Sequence, residues 1–117
     1  MRDFGDYVRK RREERQAKDP AFSLRQVAAR VGIEPTYLSK IERGELAPPS
    51  EETVKRIAAE LEEDVDVLLA MAGKVSKDLQ EIIRKRPKLF AELIRELRRA
   101  PEHALLRIVR EVRDGNW

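Results

Sequence analysis

The sequence predicts an all-α protein in two parts: five short helices in about the first seventy residues, then about three amphipathic helices. Three observations predict it. Of 117 residues, 40% are charged and only 5% aromatic, a balance that favours helices over sheets rich in β-branched and aromatic side chains. Apolar residues recur at three- and four-residue steps along most of the chain, the spacing of one helical face. Glycines, prolines and capping serines then cut those periodic stretches into short lengths.

Phe4 to Gln16 reads as the first helix, with Phe4, Tyr7 and Val8 apolar and a basic run over Arg9, Lys10, Arg11, Arg12 and Arg15. Asp19-Pro20 ends it, because proline disfavours helix at the residue before it. Ser23-Leu24-Arg25-Gln26 is a capping box: the Ser23 hydroxyl accepts from the Gln26 amide, and the Gln26 side chain reaches back to the Ser23 amide. Phe22 and Val27 are placed to form its hydrophobic staple. Leu24, Val27, Ala28 and Val31 form the inward face of this second helix, and Gly32 stops it. Ile33 and Glu34 separate that stop from Pro35, a residue suited to the first position of a helix. Leu38 and Ile41 face inward on the third helix, which ends at Gly44. Two short helices joined by a glycine-led turn make a helix-turn-helix arrangement.

Ser50, after Pro48-Pro49, caps a fourth helix lined by Val54, Ile57, Ala58 and Leu61. Val65, Leu68, Leu69 and Met71 mark a fifth, ending at Gly73. Beyond it, Val75, Leu79, Ile82 and Ile83 line a helix that Pro87 terminates. Leu89, Phe90, Leu93, Ile94 and Leu97 line the next, up to Pro101. Ala104, Leu105, Ile108, Val109 and Val112 line the last, which ends near Gly115. Gly73-Lys74 is the expected seam, dividing residues 1–73 from a C-terminal helical region, 74–117.

Composition excludes much chemistry. There is no cysteine and one histidine, so disulfides, zinc fingers and thiolate nucleophiles are out, and a histidine-based metal site or catalytic triad nearly so. His103 has no partner in view and reads as a surface residue. No paired carboxylates in a cleft, nucleophile–base pair or phosphate loop points to an enzyme, and no cofactor or metal is expected. No apolar run is long enough to span a membrane, and the start, Met-Arg-Asp-Phe-Gly-Asp, lacks the apolar stretch of a signal peptide. A cytoplasmic protein is expected. The net charge of +3 conceals three blocks: +4 over residues 2–43, −6 over 44–72 and +5 over 73–117. A basic block is an electrostatic footprint for nucleic acid or an ordinary solvated face.

The motifs decide between them. The stretch SLRQVAARVGIEPTYLSKIERG, followed by PP, an acidic-capped helix and VDVLL, resembles the phage-repressor-like helix-turn-helix family (the Cro and lambda-repressor type, or XRE family). Ala28, Gly32, Leu38, Ser39, Ile41, Glu42 and Gly44 all fall at that family's spacing, and the likeness covers residues 4–72. It implies a five-helix lambda-repressor-like domain whose third helix lies in the DNA major groove while the second crosses the backbone. By the same resemblance, Pro35, Thr36, Ser39 and Lys40 stand where family members read bases. Thr36 suits a thymine methyl and Lys40 suits guanine O6 and N7, whereas Pro35 offers apolar contact alone. Arg25, Tyr37 and Arg43 stand at phosphate-contacting positions. The plainer readings are a Tyr37 ring packed on the first helix, a first-turn Thr36, and solvated charges at Lys40 and Arg43.

Two further features follow from the likeness. Family members pair the glutamate at the end of the reading helix with an arginine of the first helix, which implies a buried Arg12–Glu42 ion pair with Arg11 as competitor. Arg11 itself stands where the family usually has leucine, so the core loosens there or the helix phase shifts by one. Glu62-Glu63 stands where relatives usually place glycine; a left-handed Glu62 costs on the order of 1 kcal/mol.

The resemblance implies a sequence-specific, double-stranded-DNA-binding transcription regulator, a repressor acting as a homodimer on a palindromic operator and nucleoid-associated when bound. Residues 74–117, whose apolar stripes need cover, are expected to dimerise it. The alternative is an antitoxin-like or antirepressor-controlled protein, whose C-terminal helices hold a protein partner while DNA binding serves autoregulation.

Overall fold

A computed structural model describes residues 2–115, with side chains from Phe4 onward. Among the described residues there are eight α-helices and no strand: α1 Arg2–Gln16, α2 Leu24–Val31, α3 Pro35–Glu42, α4 Glu51–Leu61, α5 Val65–Met71, α6 Lys77–Lys85, α7 Pro87–Arg99 and α8 Glu102–Arg113. Two compact units meet at a boundary between Ser76 and Lys77. Lys74 stays with the first unit, where its Nζ donates to the Pro49 carbonyl at 2.7 Å.

The boundaries have local causes. After α1, a 3-10 turn over Pro20–Phe22, unforeseen in the sequence, is started by Asp19, whose Oδ1 accepts from the Ala21 amide at 2.9 Å. Ser23 Oγ accepts from the Gln26 amide at 3.3 Å, which caps α2. The reciprocal half of the expected capping box is not formed, because the Ser23 amide donates instead to the Pro20 carbonyl at 3.1 Å. That 3-10 bond leaves the Gln26 side chain no donor to answer. Gly32 ends α2 in the left-handed conformation, φ +87°, which a residue without Cβ adopts at little cost. Ser50 caps α4 through the Thr53 amide, and Asp64 caps α5 through the Asp66 and Val67 amides.

Helices α1 to α5 enclose one core. Phe4, Val8, Leu38, Ile57, Leu61 and Leu68 are among its fully buried members. Each such side chain contributes roughly 1.5–3 kcal/mol of burial free energy before the entropy of ordering the chain is set against it. Ala28 of α2 is fully buried in this core, and α2 packs against α3. On α1 the buried positions among the described side chains are Phe4, Gly5, Val8 and Arg12, with the three larger side chains four residues apart. The helix phase is therefore unshifted at Arg11. That residue is half-exposed, with its guanidinium 5.1 Å over the Tyr7 ring, and it pairs with Glu14 at 3.1 Å and Glu63 at 3.3 Å. Tyr7 foremost, and then Glu14, push its pKa above the ordinary arginine value.

Gly5 completes the α1–α3 contact. A Cβ there would stand 2.2 Å from the Ile41 carbonyl oxygen and 2.8 Å from that of Glu42. Only glycine lets α1 lie directly on the last turn of α3. On the far side of α3's support, Arg30 of α2 pairs with Glu60 of α4 at 2.6 Å and stacks 5.3 Å from the Phe22 ring.

The second unit is built differently. Its helices α6, α7 and α8 carry no buried residue. Pro87 stands at the start of α7, so the residue that ends one helix begins the next. His103 is exposed on α8.

Candidate nucleic-acid interface

Helix α3 is a two-faced rod. At roughly 100° per residue, Leu38, Ile41 and Glu42 share an arc of roughly 100°, and all three are buried. Pro35, Thr36, Ser39, Lys40 and Arg43 share an arc of roughly 140° on the other side. Of these, Thr36, Lys40 and Arg43 are exposed and Pro35 and Ser39 half-buried. Tyr37 falls between the arcs and packs half-buried against the core.

The buried arc is held by one charge pair. Arg12 Nε and Nη2 donate to Glu42 Oε2 and Oε1 at 2.8 and 2.9 Å, a two-pronged bond. Arg12 is 5% and Glu42 3% exposed. Arg12 Nη1 also donates to Gln16 Oε1 at 3.0 Å and the Phe22 carbonyl at 3.3 Å. These bonds satisfy a guanidinium that burial would otherwise penalise heavily. They also tie α1, the Phe22 turn and α3 together at one point. Glu42 is thereby neutralised and turned away from the exposed arc.

Charge pairing sorts the remaining cations. Arg9, Arg11, Arg15, Arg30, Lys55 and Arg56 each sit within 4.0 Å of a carboxylate. Arg43 pairs with Glu45 at 3.2 Å and donates from Nε to the Ser39 carbonyl at 3.3 Å. Arg25 and Lys40, like Lys10 and Lys18, have no such acid among the described residues of this unit, and both are exposed. Arg25 is the second residue of α2, beside the helix N-terminus where amides and dipole favour an anion. No group of acidic or histidine side chains among the described residues is placed to hold a metal.

A family model described as a helix-turn-helix domain matches residues 3–70. The chain belongs to the XRE-type helix-turn-helix family. That family is one of transcription regulators and is not known for enzymes. Among curated relatives, the "uncharacterized HTH-type transcriptional regulator RghRB" of Bacillus subtilis (strain 168) is 33% identical over 82 residues, 70% of this chain and 55% of that one. An "uncharacterized HTH-type transcriptional regulator" of Mycobacterium tuberculosis is 38% identical over 69 residues, 59% of this chain and 45% of its own. The chain therefore spans about half the length of the curated relatives it matches. No solved structure matches it significantly. No helix among the described residues is long and apolar enough to cross a membrane.

Two features that shape this helix-turn-helix surface are not evident from the sequence. Gly5 sits inside a periodic helical stretch, where an isolated glycine signals a close approach without naming the partner. The Arg30–Glu60 pair joins residues thirty positions apart, and nothing local in either segment marks it.

Proposed function

We propose that this protein is a sequence-specific, double-stranded-DNA-binding transcription regulator that inserts α3 into the major groove. The observation that carries the reading is the division of α3: an exposed arc bearing Thr36 and Lys40 opposite a fully buried arc. A groove-reading helix needs side chains open to the groove, and Thr36 and Lys40 are exposed on this one. In this reading Lys40, free of any carboxylate partner, donates to guanine O6 and N7. Thr36 meets a thymine methyl, with Pro35 and Ser39 completing the base-facing arc. Arg25 binds phosphate at the α2 N-terminus, while Arg43 exchanges Glu45 for a phosphate and Tyr37 offers its hydroxyl to another. Arg12 and Glu42 are structural.

In this reading the first unit, which runs to Ser76, is the DNA-binding domain, and the C-terminal helices α6, α7 and α8 are a dimerisation region. The homodimer binds a palindromic operator in the cytoplasm, with half-sites about one helical turn apart, and represses by obstructing polymerase. The description of its relatives as transcriptional regulators supports the general reading. Selection of bound sequences from random DNA tests it. Enrichment of palindromes with a fixed half-site spacing is expected. Recovery of unrelated sequences at equal affinity would remove the operator.

A further inference from the structure

Three carboxylates stand on α3 or beside its ends: Glu34, Glu42 and Glu45. Glu42 is buried against Arg12, and Glu45 pairs with Arg43 at 3.2 Å. Glu34, the residue just before α3, is exposed, and among the described residues its carboxylate has no ion pair. Nor does it cap the helix: its side chain takes no bond from the first amides of α3. Serine, threonine, aspartate and asparagine are the residues that serve a helix start well, so local helix stability does not account for a glutamate here.

The backbone around Glu34 is set from both sides. The Ile33 amide donates to the Ala28 carbonyl at 3.0 Å, closing the left-handed turn at Gly32. Pro35 opens α3, and a residue before proline is confined to extended backbone. Glu34 lies there, with φ −69° and ψ 140°. Its Cα is thereby held at the leading end of α3, while its carboxylate is left without a protein partner.

When such a helix enters the major groove, its N-terminal residues reach the base edges. A carboxylate at that end is repelled by phosphate, so it weakens binding to every sequence unless a base supplies a donor. The four bases differ in what they present. Guanine shows two acceptors, N7 and O6; thymine shows the O4 acceptor and a methyl group; adenine sets its N6 donor beside the N7 acceptor; cytosine shows the N4 donor alone. Cytosine is the base whose groove edge satisfies a carboxylate without also opposing it.

We infer that Glu34 reads a cytosine, accepting a hydrogen bond from its N4 amino group. This rests on the insertion of α3 proposed above and deepens it: the reading surface carries an acceptor, Glu34, as well as the cation Lys40. A site lacking the cytosine leaves the carboxylate facing acceptors and phosphates, so the same residue that favours one base rejects the others.

The test uses the full chain and random double-stranded DNA, with bound sequences selected in parallel by the wild type, Glu34→Gln and Glu34→Ala. The wild type should enrich a cytosine at one position. Glu34→Gln should turn that preference to adenine, whose N6 and N7 suit an amide, and Glu34→Ala should accept any base there. On the best wild-type sequence each variant should lose roughly tenfold in affinity. On random DNA each should bind more tightly, because a repelled charge is gone. A residue that only supported the fold would shift both DNAs in the same direction. Identical base preferences in all three proteins, or a common loss on both DNAs, overturns the role of Glu34 and leaves the insertion of α3 standing. A wild-type chain that enriches no sequence overturns both.

Discussion

Arg11 of α1 and Glu63, in the turn between α4 and α5, stand 3.3 Å apart. Tyr7 donates its hydroxyl to the same carboxylate at 3.2 Å. Arg11 thus meets not the left-handed Glu62 but the residue that follows it, while Glu62 pairs with Arg15. In place of an apolar side chain, Arg11 supplies a polar clamp between α1 and the α4–α5 turn. A double-mutant cycle of Arg11→Leu and Glu63→Ala by urea denaturation should give a small favourable coupling that fades as salt is raised. Zero coupling at low salt would mean that Arg11 and Glu63 do not support each other.

The buried pair behaves differently. Glu42→Ala leaves Arg12 uncompensated and should cost about 3–5 kcal/mol. The double variant Arg12→Met, Glu42→Leu removes both charges and should recover most of that stability. Equilibrium unfolding of the single and double variants distinguishes this from a pair whose deletions simply add.

Gly5→Ala forces a methyl into the carbonyls of Ile41 and Glu42, so α1 must lift from α3. Overpacking of this kind costs about 1–3 kcal/mol. Thermal unfolding should show a clear fall in Tm, and an unchanged Tm would mean that α1 does not rest directly on α3.

Glu62 ends α4 with φ +53°. Its pair with Arg15, 3.2 Å long, is largely exposed on the glutamate side and worth little. Glu62→Gly should therefore stabilise the protein by up to about 1 kcal/mol, the relief of left-handed strain exceeding the value of the ion pair. A fall in the urea midpoint would show the Arg15 pairing to be the stronger effect.

On DNA, Arg25→Ala should make the slope of log K against log salt shallower by about one for each phosphate that Arg25 neutralises, with little change in sequence preference. Lys40→Ala should cost about 1–3 kcal/mol of discrimination between operator and random DNA. Titrations at several salt concentrations on both DNAs separate the roles. A Lys40 variant that keeps full specificity would take that residue out of the base-reading set.

Much of this protein was legible in one dimension. Most helices and their ends follow from signals within a few residues: apolar period, the Ser23 and Ser50 caps, the Gly32 turn, Pro35 at a first-turn position and Pro87 as a helix stop. The Asp64 cap and the place of Pro87 at the start of α7 came from the structure. The exposed arc of α3 follows as well, because helical pitch alone sets Thr36 and Lys40 opposite Leu38 and Ile41. Tertiary structure decided the rest. It took the Ser23 amide for a 3-10 bond, set Arg11 against Glu63, paired Arg30 with Glu60 and made Gly5 the point where α1 touches α3. Each of those depends on which distant atom lies within a few ångströms. Periodicity specifies a helix's faces but not its neighbour, so such partners appear only when the chain is folded.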